Sequence, residues 1–160
     1  MSRAKLIKLI DKLNDIENFL IRESDKIIDK NKSVLVAQNT QQMKEDGQES
    51  TGTPIEYKHS RKIPVGQYGA YSKPYEKYKD NYGGQTKYVD LFLTGKFHKS
   101  IILFQMNPGE WRFVSEDEKA PFLVANYGPD IFGIQEDRLD TFSVGMGVEL
   151  QSRTDKYLNA

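Results

Sequence analysis

The chain contains no cysteine. No disulfide can staple it, no thiolate can act as a nucleophile, and no cysteine-ligated metal can form. A disulfide-built secreted fold is excluded, and assembly in a reducing cytoplasm fits. Long apolar runs are also missing: nothing approaches the roughly 18 residues that span a bilayer. Met1-Ser2-Arg3-Ala4 leads into charged amphipathic sequence rather than a signal peptide, so a soluble intracellular product without membrane contact is expected. Histidine is scarce, with only His59 and His98. Neither stands in an H-E-x-x-H or H-x-x-E-H context that would set two ligands and a base on one helical face. His98, in a lysine-flanked turn, reads as a solvent or interface histidine. There is no G-x-S-x-G elbow and no Walker phosphate loop, and Tyr82-Gly83-Gly84 reads as a turn. The acidic run Glu116-Asp117-Glu118 precedes a helix, whose N-terminus favours negative charge. It has no visible partners for a metal. We expect no catalytic residue, no cofactor and no metal site.

What is present is charged and only moderately apolar. Hydrophobic residues make up 38% and charged residues 29% of the 160. A modest core is expected, with some segments extended over the surface or ordered against a partner. Lys plus Arg equals Asp plus Glu at 23 each, and that balance argues against a dedicated nucleic-acid binder.

Residues 3–29 carry the clearest helical pattern. Leu6, Ile7, Leu9, Ile10, Leu13, Ile16, Phe19, Leu20, Ile27 and Ile28 recur mostly at three- and four-residue spacing. A helix of that length, about 40 Å, exceeds what a domain of this size needs to cover itself, so part of it could pack on a neighbouring subunit. After a break at Asn31-Lys32-Ser33 a shorter helix is expected over 34–46, then a loop from Gly47 to Pro54 rich in breakers.

From Ile55 to Tyr88 aliphatic residues almost vanish, and seven of the nine tyrosines gather: Tyr57, Tyr68, Tyr71, Tyr75, Tyr78, Tyr82 and Tyr88. From Tyr57 onward Lys58, Arg61, Lys62, Lys73, Lys77, Lys79 and Lys87 face only Glu76 and Asp80. Such a segment cannot bury enough aliphatic surface to fold alone. It reads as an arm with a helical turn near Pro74 to Lys79. Its candidate interface residues are Tyr68, Tyr71, Tyr75, Tyr78 and Tyr82 with Lys73, Lys77 and Lys79. Tyrosine gives an interface rigid apolar area with a polar tip. The same mixture could stack bases while lysines track phosphates, which makes a nucleic-acid-binding accessory protein the alternative reading.

The last third reads as compact. Val89 to Leu93 is expected as a strand, Thr94-Gly95 as a turn and Lys96 to Ser100 as a short helical piece. Ile101 to Met106 and Trp111 to Ser115 form a hairpin across Asn107-Pro108-Gly109-Glu110, where Pro-Gly suits a type II turn. A helix follows over Lys119 to Tyr127, stopped by Gly128-Pro129, and another within Gln135 to Phe142, whose extension Gly145 and Gly147 weaken. The expected class is α+β in one domain over 1–160, with a helical part to 46, an arm to 88 and a core from 89. It combines a long N-terminal helix, a small antiparallel sheet, short C-terminal helices and an extended tyrosine-rich arm.

These motifs together resemble the virion-morphogenesis, tail-completion and head–tail connector (neck) proteins of tailed bacteriophages. Gln42, Gly47, Glu49, Ser50, Gly52, Ile55 and Tyr57 are similar to the family's first block, with altered spacing. Leu93, Thr94, Gly95, Phe97, Ser100 and Ile101 match its T-G-x-[LF]-x-x-S-[IL] block. Trp111 to Ser115, Asn126-Tyr127-Gly128 and Phe132-Gly133-Ile134 stand where its hairpin and closing segment fall, so the likeness runs over about 39–134. The resemblance implies a structural virion protein and not an enzyme. It implies a homo-oligomeric ring in the neck or tail, contacting portal, connector or tail proteins near packaged DNA. Physically, Gly95 permits a sharp turn, Thr94 can cap it, and Phe97 and Ile101 fall four residues apart on one face. Those residues are expected to be scaffold, with recognition left to the arm and the long helix.

Overall fold

The structure, a computed structural model, describes residues 3–58, 69 and 71–160. Helix α1 (Arg3–Asn14) and helix α2 (Ile16–Gln41) are separated at Asp15. Asp15 sits at the cap position of α2 and accepts a bond from the Asn18 side-chain amide at 3.1 Å. The helix expected to end near residue 29 instead continues, and the break expected at Asn31-Lys32-Ser33 does not occur. The polar residues there are satisfied on the helix: Asn31 donates to the Ile27 carbonyl at 2.8 Å, and Lys32 pairs with Asp29 at 3.0 Å. Their weak helix propensity costs only tenths of a kcal/mol each, about 0.7 at most. Burial of Ile27 and Leu35 on either side outweighs it.

α2 runs on into a π-turn at Gln42–Asp46 and stops at Gly47, whose φ of +62° is the left-handed end of the helix. Helix α3 (Lys73–Asn81) lies within the tyrosine-rich stretch, and α4 (Lys96–Lys99) follows it. Strands β1 (Ile101–Asn107) and β2 (Glu110–Ser115) then pair antiparallel. Ile101 faces Ser115 and Leu103 faces Phe113, with an irregularity between Gln105 and Asn107. Gly109 at φ +78° supplies the positive φ that the Pro-Gly turn requires. Helix α5 (Ala120–Tyr127), a short 3-10 turn (Pro129–Ile131) and helix α6 (Glu136–Asn159) complete the chain. The last helix is far longer than expected. Gly145 and Gly147 lie inside it with open space beside them, while Leu139 and Phe142 pack on the core.

Val89 to Leu93 is not a strand. The N–H groups that a sheet would use are taken at Asp90 and Leu91 by the Tyr71 hydroxyl, at 3.0 and 3.1 Å, and Leu91 turns to φ +52°. The architecture is α+β: the long α2 backed by α6, with the hairpin laid on α2. One apolar cluster joins Met43, Ile55, Val89, Phe97, Ile101, Ala120 and Ile131; a second joins Leu35, Leu103 and Ile134. Val36 and Phe113 pack on both. At the hairpin tip Asp25 of α2 accepts from Trp111 Nε1 at 2.8 Å and from the Gly109 N–H at 3.1 Å.

Candidate interaction surface

Tyr71, Tyr75, Tyr78 and Tyr82 are spaced four, three and four residues apart, which places them on one side of α3 and its flanks. Successive ring centroids lie 5.0, 6.1 and 4.9 Å apart, so the four phenols form a continuous ladder. Exposure rises along it, from 37% at Tyr75 to 46% at Tyr78 and 68% at Tyr82. Its outer rungs therefore present aromatic faces to solvent. Lys73 and Lys77 are exposed on the same short helix, beside Glu76 and Asp80. The charges there cancel.

The inner end of the ladder is fixed by a buried polar network. Lys79 is fully buried and pairs with Asp90, itself almost fully buried. The Tyr71 hydroxyl donates to the same Asp90 oxygen at 2.6 Å, and Lys79 Nζ stands over the Tyr71 ring, 4.6 Å from its centroid. Gln85 donates to the other Asp90 oxygen at 2.6 Å, and the Phe92 N–H donates to Oδ1 at 2.9 Å. The Asp90 carbonyl meets His98 Nε2 at 2.9 Å. Burial lowers the Lys79 ammonium from its ordinary range, and the hydrogen bond and charge of Asp90 oppose that. Burial, followed by the bond to Asp90, raises the Tyr71 phenol well above the ordinary value. Gly84 closes over the lysine: a Cβ there would lie 2.8 Å from the Lys79 stem. α3 is thus anchored from inside, and the exposed rungs are held in place by it.

Tyr68 lies outside the described residues. Tyr75, Tyr78, Tyr82, Lys73 and Lys77 share the α3 surface, whereas Tyr71 and Lys79 do not. Tyr71 is largely buried and Lys79 wholly so, because both serve the Asp90 network instead of the outer surface. The expected solvent or interface histidine is likewise corrected: His98 is buried against Asp90, and burial holds its imidazole below the usual range. Asp90 and Gln85 were not singled out from the sequence. The one available signal was a lone acid inside the apolar run Val89-Asp90-Leu91, since such an acid is rarely buried without a partner.

The T-G-x-F-x-x-S-I residues hold the fold together. Gly95 is at φ +76°, Thr94 Oγ1 receives the Lys96 N–H at 3.4 Å, and Phe97 and Ile101 are buried in the core. The Ser100 hydroxyl bonds the Phe97 carbonyl and Ser115 Oγ, both at 2.6 Å, tying α4 to the end of β2. Asn39 and Gln42 clasp the Ile131–Gln135 segment in a similar way. Asn39 donates to the Gly133 carbonyl at 2.7 Å, and Gln42 Oε1 accepts the Gln135 N–H at 3.0 Å. Asp117 Oδ1 accepts the Lys119 N–H at 2.9 Å, which makes the acidic run a turn support. Among the described residues no His, Cys, Asp and Glu side chains gather in a group that could hold a metal ion, and no helix is long and apolar enough to cross a membrane.

Comparison with family models, with curated proteins and with solved structures gave no match.

Proposed function

We propose that the chain is a structural virion protein of a tailed phage. It would be a component of the head–tail connector, neck or tail-completion ring, joining portal or connector to tail through protein contacts. The observation that carries this reading is the tyrosine ladder. Its outer rungs are solvent-facing, pre-ordered by the buried Lys79–Asp90–Tyr71 network, and set in a surface of balanced charge. Rigid aromatics lose little entropy on docking, and charge balance suits a protein partner better than a phosphate backbone. The exposed apolar residues of α1, β1 and α6 support the same reading, since a chain built for assembly leaves such faces for its neighbours. The turn and hairpin residues that resemble the phage family serve as scaffold beneath these surfaces.

The test replaces Tyr75, Tyr78 and Tyr82 together by serine, leaving Tyr71 and Lys79 untouched. The variant should keep its circular dichroism spectrum and urea midpoint. Particles assembled with it should lose the tail or the cross-links between this chain and connector proteins. Normal yield and infectivity would sink the reading. A salt-dependent shift of short DNA by the parent chain, lost in the variant, would replace it with the nucleic-acid reading.

A further inference from the structure

Helix α3 is fastened to the body of the protein by a charged side chain. Lys79 is its one buried residue, and the Lys79 and Asp90 side chains are 0% and 3% exposed. Ions so enclosed have given up their hydration, which the attraction between them only partly offsets. The groups around the pair do more than neutralise it. The Tyr71 hydroxyl touches both partners: it accepts from Lys79 Nζ at 3.1 Å and donates to Asp90 Oδ1 at 2.6 Å. The N–H groups of Asp90 and Leu91 donate to the same phenol oxygen, so negative charge passing through it is supported. Gln85 Nε2 donates to Oδ2 at 2.6 Å, where charge gathers when the carboxyl carbon is attacked. Nζ is bonded to Oδ1, one bond from that carbon. Amine, acid, proton relay and oxyanion donor stand together, closed off from water.

We propose that Lys79 and Asp90 condense into an intramolecular amide, with Tyr71 carrying the protons and one water released. A proton first passes from the Lys79 ammonium through the Tyr71 hydroxyl to Oδ1, leaving a neutral amine beside a neutral acid. Burial, which lowers the Lys79 ammonium from its ordinary range, favours that transfer. The Nζ lone pair then attacks Cγ, and the π electrons move onto Oδ2, held by Gln85. When the carbonyl to Oδ2 re-forms, the Cγ–Oδ1 bond breaks. Oδ1 departs as water, with a second proton that Nζ gives up through Tyr71. No oxidant, activator or cofactor enters. Groups held in this way react as if at about 10⁵–10⁸ M, and the exclusion of water disfavours the reverse step. The ion pair governs the freshly folded chain. The amide then makes the attachment of α3, with its exposed tyrosines, covalent. This step does not depend on what the chain assembles with, so it stands apart from the virion reading.

The test is to hold the purified full-length chain at neutral pH for days and weigh it by mass spectrometry. It should come to lie one water, about 18 Da, below the mass its sequence requires. Digestion with trypsin should give a branched peptide that joins the segments around Lys79 and Asp90, uncut after Lys79. A chain with Lys79→Met and Asp90→Leu should keep its full mass throughout. Tyr71→Phe, with an unchanged circular dichroism spectrum, should gather the linked form at least tenfold more slowly. A parent chain that stays at full mass and is cut normally after Lys79 would overturn the proposal. A water loss that maps to a linear peptide would overturn it as well, since it would mark a cyclised side chain elsewhere. Linking at the parental rate in Tyr71→Phe would overturn the part given to Tyr71.

Discussion

The Asp90 carboxylate receives bonds from a lysine, a tyrosine, a glutamine and its own backbone two residues on. Asp90→Asn keeps the shape and removes the charge, leaving Lys79 buried without a counter-ion. The expected loss is about 3–5 kcal/mol, measured as a lowered urea midpoint. Replacing Lys79 and Asp90 together by methionine and leucine should recover most of it. Lys79 is for this reason a poor probe of surface charge, since glutamate there would set two carboxylates in one buried pocket. His98 adds a pH dependence. Its imidazole, facing Asp90, Lys44 and Lys79, is held by burial below its ordinary value of 6.5. The unfolded chain therefore takes up a proton first as pH falls. Stability present above about pH 6.5 drains away below it, and His98→Gln should flatten the urea midpoint between about pH 7 and pH 5.5. In the sequence only the lone acid within Val89-Asp90-Leu91 hints at this network. Its side-chain partners are 5 to 19 residues away, beyond a helix and a turn, where spacing rules carry no information.

At the level of elements, periodicity was a good guide to type and a poor one to boundaries. The apolar stripe of α2 and the Pro-Gly hairpin were both readable. The break was misplaced because Asn31, Lys32 and Ser33 look like punctuation, whereas Asn14-Asp15 interrupts the helix in fact. Val89 to Leu93 has a strand's composition, but the Tyr71 hydroxyl, from the chain just before α3, takes the N–H groups of Asp90 and Leu91. Two glycines separate helix ends from helix middles by experiment. Gly47 combines φ +62° with a Cβ position 2.4 Å from the Tyr88 ring, so Gly47→Ala should cost at least about 1–2 kcal/mol from the backbone alone. Gly145 has nothing within 4 Å of its Cβ position, so Gly145→Ala should stabilise α6 by about 0.5–1 kcal/mol. Thermal midpoints moving in opposite directions are the expected readout.

Across the whole molecule the α+β class could be read from the order of patterns, but the ties between distant parts could not. α6 returns along α2 through the Phe19–Tyr157 stack, with centroids 4.1 Å apart, and through Arg153, which reaches Glu23 at 2.6 Å. Hydrogen bonds from Lys26 and Arg153 hold the Glu23 carboxyl below its ordinary 4.5. Its contribution is present above that value and is lost as pH falls through the lowered one. Arg153→Met should therefore flatten the acid limb of the stability profile between about pH 5 and pH 3. The asymmetry of burial also bears on how the chain can be watched. Trp111 is the only tryptophan, and it sits where the hairpin tip meets Asp25 of α2. Excited at the red edge of its absorption, it reports that one junction and no other. Emission that shifts at lower urea than the helical signal would show the hairpin lifting from α2 before the helices melt, whereas coincident transitions would show one cooperative unit. The chain carries its own fluorescent gauge at the joint between its sheet and its longest helix.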